Sequence, residues 1–308
     1  MSVVEQSPAR NHRGRRRDLR AVSAWCAAVG AAVLGVGQLF AAQSLDVLAW
    51  RGDTQPTEWG VVDEAALVVW LSAVAVGLGA TAPQLLLRVV PGRRMRWALP
   101  AVAAFGALLA APVATATAAW AQMYGGDLSQ LRAVRLVCIG VVLGAATAVL
   151  AVRTRAMAWS LLGWLIIGWL LLAASSRLSP GEVPVLGHFD PGGAWSPAER
   201  LVQARLLLAV LAAATGLMIG AAAVFFGWGT APRRRGRART PAPMPVLAVA
   251  SGPALMVAAN LVAALLVGRF YTDRLVGLAV ALLIAIVCGY AGWEVARRML
   301  PGRGAIPA

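Results

Sequence analysis

Eight apolar runs, separated by shorter polar connections, constrain this chain more than any other feature. They fall at 21–43, 61–87, 97–121, 133–152, 156–175, 199–228, 244–268 and 274–296. About 20 helical residues cross a hydrocarbon core of about 30 Å, so every run is long enough to span a bilayer. Unpaired peptide groups are too costly in lipid, and the alternating pattern of a barrel strand is absent, so each run is expected to be helical. The fold class is therefore all-α: a polytopic integral membrane helical bundle of eight transmembrane helices. Composition agrees, with 59% hydrophobic and only 13% charged residues and a mean hydropathy of +0.71, far from the balance of a soluble domain.

Charge orients the bundle. All 28 basic residues are arginine, a usage that points to a genome rich in G and C. With the N-terminus in the cytoplasm, 20 of the 28 arginines fall inside, among them Arg10, Arg13, Arg15, Arg93, Arg94, Arg153, Arg155 and the cluster at 233–239. Of the acids, only Glu5, Asp18 and Glu294 fall inside. Each alternate loop obeys the positive-inside rule, which places both termini in the cytoplasm and the chain in the plasma membrane of a high-GC bacterium. Arginines in juxtamembrane loops meet anionic headgroups, so the pI of about 11.6 argues for membrane lipids as partners and not for nucleic acid. The basic stretch "RGRRRDLR" resembles the start of an export signal. The apolar run behind it is about twice the length of a signal core, so it reads as an uncleaved first helix.

Soluble-enzyme chemistry finds no foothold. Cys26, Cys138 and Cys288 lie singly in apolar runs, where a thiol packs as a small hydrophobe, and neither histidine has metal-ligand spacing to them. Phosphate-binding loops, dinucleotide fingerprints, GxSxG and HExxH are absent, so no cofactor and no metal are expected.

The organisation suggests a 4+4 internal repeat. A basic segment 1–20 leads into a first four-helix half, 21–153; a second half, 154–300, is followed by a tail, 301–308. Both halves run basic entry, helix, long outer loop, helix, basic inner loop, helix, short outer loop, helix. An even helix number gives both halves the same orientation, about an axis along the membrane normal. Pro56-Thr57-Glu58 and Pro197-Ala198-Glu199 precede corresponding helices, and Tyr124 and Asp127 match Tyr271 and Asp273 in place. The duplicated Pro-x-Glu resembles a motif of small membrane-bound lycopene cyclases. Here Trp59 and Arg200 stand where that family has its second carboxylate, and a capping box accounts for Ser196 to Glu199, so the chain is not placed in that family.

Candidate chemistry gathers at the outer ends of the helices. Glu182, His188 and Asp190 lie in the fifth connection, and Asp46, Asp53, Glu58, Asp63 and Glu64 in or beside the first. Asp63 and Glu64 are the sharpest, because they sit just inside the run "GVVDEAALVVWLSAV", where a carboxyl group could act as a general acid. Twelve tryptophans outnumber three tyrosines. Most occupy interfacial positions, but Trp70, Trp164 and Trp169 lie deeper. Trp59, Trp70, His188 and Asp190 are the candidate substrate-binding residues, and an indole face near an acid suits a carbocation. Glu294 is expected to pair with Arg297 and Arg298, and Asn260 to bond across helices.

Three functional readings follow. The first is a transport or export component for an uncharged or lipophilic small molecule, which fits the two halves, the prolines Pro83, Pro112 and Pro253, and the lack of ionisable groups at mid-depth. A second is a membrane-embedded enzyme acting on an isoprenoid or lipid, with Asp63 or Glu64 as acid. The third is a non-catalytic partner or assembly protein, docking other proteins on its arginine-rich inner loops.

Overall fold

The computed structural model describes residues 8–45, 47–48, 59–87, 91–92, 94–123, 130–178, 186, 197–225, 244–268, 270 and 272–299. These hold α1 (Pro8–Ser44), α2 (Trp59–Leu86), α3 (Met95–Ala107), α4 (Ala110–Met123), α5 (Gln130–Ala151), α6 (Arg155–Leu178), α7 (Pro197–Phe225), α8 (Met244–Val267) and α9 (Thr272–Met299). No strand occurs among the described residues. Eight segments are long and apolar enough to cross a membrane, α3 and α4 together forming the third. The described chain is a helical bundle whose eight apolar segments are compatible with a multi-pass membrane protein. Helix α1 begins at Pro8, so the basic segment before the first apolar run enters the helix instead of standing apart from it.

The ends have local causes. After α1, Val47 N and Leu48 N both donate to Ala42 O, at 2.8 and 3.1 Å, folding Val47 and Leu48 back onto the bundle. Gly268 closes α8 with φ +75°, the left-handed turn that glycine adopts without steric cost.

The third span differs from the single helix expected over 97–121. It breaks at Leu108 and Leu109, with α3 on one side and α4 on the other. Pro112 lies one turn beyond the break. Its ring excludes the carbonyl of the fourth residue before it and supplies no N–H, and the chain tightens in response. Leu109 N donates to Gly106 O at 3.1 Å and Ala111 N to Leu108 O at 2.9 Å, both one residue short of the α-helical spacing.

Pro253 in α8 does not break its helix, because α6 repairs it. Proline leaves the carbonyl of Val249 without its helical donor, and Ser160 Oγ supplies one at 2.8 Å. The same hydroxyl accepts from Gly252 N at 3.2 Å. A freed carbonyl inside a bilayer needs such a partner from a neighbouring helix.

Small residues set the helix spacing, as expected where apolar burial alone cannot drive association. Gly140-x-x-x-Gly144 on α5 presses on α2: a Cβ on Gly140 would lie 2.6 Å from Val69 O, and one on Gly144 2.5 Å from Ala73 O. Gly216-x-x-x-Gly220 on α7 meets α9 likewise, against Ala285 O and Gly289 O.

Within each half the same pairs of spans touch. The first packs on the second and third, the second on the third and fourth, and the third on the fourth; this holds for α1, α2, α3/α4, α5 and again for α6, α7, α8, α9. The halves meet chiefly where α2 lies against α6 and α8. Helix α2 thus has neighbours on every side, and each residue from Val61 to Thr81 is buried.

Candidate functional site

Helix α2 carries both carboxylates expected to be chemical. Asp63 and Glu64 are 3% and 2% exposed, deeper than their place at the start of an apolar run required. Each engages a polar or charged partner. Consecutive residues on a helix point about 100° apart, and the contacts of α2 say where each one faces. Trp70 meets Gly168 of α6, and Met256 of α8 lies 3.0 Å from the same Cβ position. Asp63, seven residues before Trp70, shares its face and looks along the seam between the halves. Ala75 and Gly79 touch Gly35 and Ala31 of α1. Glu64 shares their face and looks into the first half.

The two candidates therefore serve different interfaces. Below Asp63 the seam is closed by the Trp70 indole, 1% exposed and seated on Gly168 of α6; Trp164, equally buried, rests on Gly252 and packs α6 against α8. Ser175 on α6 and Asn260 on α8 are the other buried polar side chains toward the C-terminal ends of these two helices. Asn260 does not bridge helices as expected. Its Nδ2 donates to Met256 O of its own helix, at 3.0 Å, because its turn already offers a carbonyl within reach.

His188 and Asp190 lie outside the described residues, as do Asp46, Asp53, Glu58 and Glu182. Trp59 begins α2, and its side chain lies outside the described set. The expected pairing of Glu294 holds: Arg298 Nε donates to Glu294 Oε1 at 2.9 Å, and Arg297 Nη1 lies 3.8 Å from Oε2. That network is exposed and lies at the end of α9, away from the candidate residues. The three cysteines are free. Among the described residues no group of three His, Cys, Asp or Glu side chains converges.

A second polar locus was not singled out from the sequence. Gln38 on α1 is 6% exposed, and neither its Oε1 nor its Nε2 has a hydrogen-bond partner. Ser72 on α2 is 1% exposed, and its Oγ is likewise without one. Other buried hydroxyls find carbonyls: Thr81 Oγ1 donates to Gly77 O at 3.0 Å, and Thr215 Oγ1 to Leu211 O at 2.7 Å. An amide inside an otherwise apolar run was the readable signal.

Compared with known protein families, curated proteins and solved structures, the chain matches none.

Proposed function

We propose that the protein is a membrane transport or export component that moves an uncharged or lipophilic solute along the seam between two repeated four-helix halves. Both termini lie in the cytoplasm of a high-GC bacterium. The observation that carries this reading is the make-up of the seam. It is formed by α2 against α6 and α8, with Pro83 in α2 and Pro253 in α8, and it is plugged by the Trp70 indole resting on Gly168. Helices with an interrupted hydrogen-bond ladder bend at that point, and a bend there would shift the contact of Trp70 on Gly168. The matching span pairs within the halves support the repeat. Asp63 and Glu64 are the only buried carboxylates among the described residues, and both stand at one end of α2, which fits a solute that carries no charge through mid-depth. In this reading Trp70 lines the route and Asp63 guards its extracytoplasmic mouth.

A membrane-embedded enzyme is the second reading. It is favoured by Asp63 and Trp70 sharing one face of α2, two turns apart, an acid above an indole as protonation of an isoprenoid or lipid would use.

One comparison separates the two. Extracts of cells with and without the gene, and of their media, are compared by mass spectrometry. Transport predicts one molecule redistributed between cells and medium; enzyme action predicts a precursor accumulating and a product lost. A cleavable bifunctional thiol crosslink between Gly77→Cys and Leu161→Cys, positions that face each other across the seam with Leu161 Cδ1 3.0 Å from a Cβ built on Gly77, is expected to reproduce the deletion until cleaved. A locked protein that behaves as wild type refutes movement along the seam. Orientation is checked with single thiols: Thr272→Cys should react with an impermeant reagent in intact cells, and Arg153→Cys should not.

A further inference from the structure

Gln38, Ser72 and the break in the third span converge at one level of the first half. Helices α1 and α2 run antiparallel and meet at Ala31 with Gly79 and at Gly35 with Ala75. Continuing that register brings Gln38 opposite Ser72. Gly35, one turn before Gln38, faces the broken span: a Cβ there would lie 3.3 Å from Ala110 Cβ and 3.6 Å from Ala107 O, the carbonyl that ends α3. Ser72 lies at the edge of the face α2 turns to α5, its Cβ against Gly140 beside Val69, Ala73 and Val76, and next to the face it turns to α1 (Ala75, Gly79). The third span packs on α1, α2 and α5, so that intermediate direction leads toward it.

We propose that this level holds a site for an uncharged hydroxyl group, bound by the Gln38 amide, the Ser72 hydroxyl and the backbone freed where α3 gives way to α4. Three features select that chemistry. Gln38 leaves both a donor and an acceptor unused, and Ser72 adds a hydroxyl able to do either; a hydroxyl answers both, whereas a cation or an anion would use only half of them. Asp63 and Glu64, the buried carboxylates of the described chain, lie about two turns or more from Ser72 along α2, so no neighbouring charge calls for an ion. Around the amide the α1 stripe is mostly small, with Ala27, Ala31, Gly35 and Ala42 beside Leu39, and the broken span contributes Ala107, Ala110 and Ala114. Buried polar groups in native proteins are nearly always satisfied, by ordered water or a ligand where the chain offers nothing. Discontinuous membrane helices are where polar backbone becomes available at mid-depth. The hydroxyl belongs either to water or to a polyol-like solute. The site lies within the first half and does not depend on movement along the seam.

Alkylation of a thiol tests it, because the thiolate is the reacting form and requires water. In a background with Cys26, Cys138 and Cys288 replaced by alanine, Ser72→Cys is expected to react with iodoacetamide at least about tenfold faster than Ala75→Cys, its buried neighbour one turn away. Adding Gln38→Leu, which keeps bulk and removes both unsatisfied atoms, is expected to bring the Ser72→Cys rate down to that of Ala75→Cys. Equal, slow rates at both positions overturn the proposal, and so does a fast rate at position 72 that Gln38→Leu leaves unchanged. Glycerol at high concentration separates the sources: slower reaction in its presence assigns the hydroxyl to a polyol-like solute, and an unaffected fast rate assigns it to water. Folding of each variant is checked by its elution in detergent. If Ser72→Cys does not fold, the faster unfolding-independent exchange expected at the Ser72 amide relative to Gly77, with and without Gln38→Leu, carries the same two outcomes.

Discussion

Helices α2 and α7 hold the same place in their halves and have opposite surroundings. Helix α2 packs against α1, α3, α5, α6 and α8, whereas α7 packs mainly against α6, α8 and α9. From Val61 to Thr81 α2 shows no exposed residue. Along α7, Val202, Leu206, Val210, Leu217, Met218 and Phe225 stay open, as side chains facing lipid would. Both helices nevertheless pair with the fourth span of their half through a small-residue contact. The same pairs of spans therefore pack within α1–α5 and within α6–α9, while the contacts between these two sets are unsymmetrical, enclosing α2 and leaving α7 open on one side. Among the described residues, buried carboxylates appear only on the enclosed helix.

The largest effect is expected at the centre of that enclosure. Trp70→Ala should cost about 3–5 kcal/mol through the cavity it leaves, measured as a fall in the unfolding midpoint of the purified protein in detergent. If the loss is no greater than for an outward residue of α7, the seam is not packed as described. Next come the glycine contacts, where a leucine has to displace backbone. Gly140→Leu and Gly220→Leu should each cost about 3 kcal/mol. They should differ in kind: displacing α5 from α2 loosens both halves, while parting α7 from α9 leaves amides of α1 to α5 slow to exchange. Hydrogen exchange resolved by peptide decides this, and equal loosening in both variants would break the comparison.

Ser160→Ala should cost about 1–3 kcal/mol by stranding the Val249 carbonyl. Pro253→Ala should recover most of that loss, since alanine returns an N–H to the same oxygen; a double-mutant cycle on thermal stability reads the coupling. Smallest of all is the rim of α9. Glu294→Gln removes an exposed ion pair and should change stability by no more than about 0.5 kcal/mol, as should Leu206→Ala on the open side of α7.

The spans were legible because lipid imposes both a length and a backbone requirement, leaving helix ends uncertain by only a few residues. The run expected at 133–152 is α5 at 130–151, and that at 61–87 is α2 at 59–86. The break in the third span escaped because an internal proline more often bends a helix than ends it. Whether it breaks depends on a neighbour, as Ser160 holds α8 together while α3 and α4 separate before Pro112. Asp63 and Glu64 stood out as acids at the rim of an apolar run. Their divergence onto two interfaces did not, because a helix wheel gives relative directions and only the packed neighbours give them meaning. Gln38 passed unnoticed for a related reason: an amide in a membrane helix is ordinary when it bonds its own turn, and its two unused atoms emerge only once the surrounding alanines are in place.

The hydroxyl that Ser160 lends to Val249 also orders events during synthesis. Helix α6 leaves the ribosome before α8, so its donor is already in the bilayer when the proline-bearing segment arrives with an unmet carbonyl. In a chain lacking Ser160 the proline-bearing segment would arrive with its Val249 carbonyl still unmet.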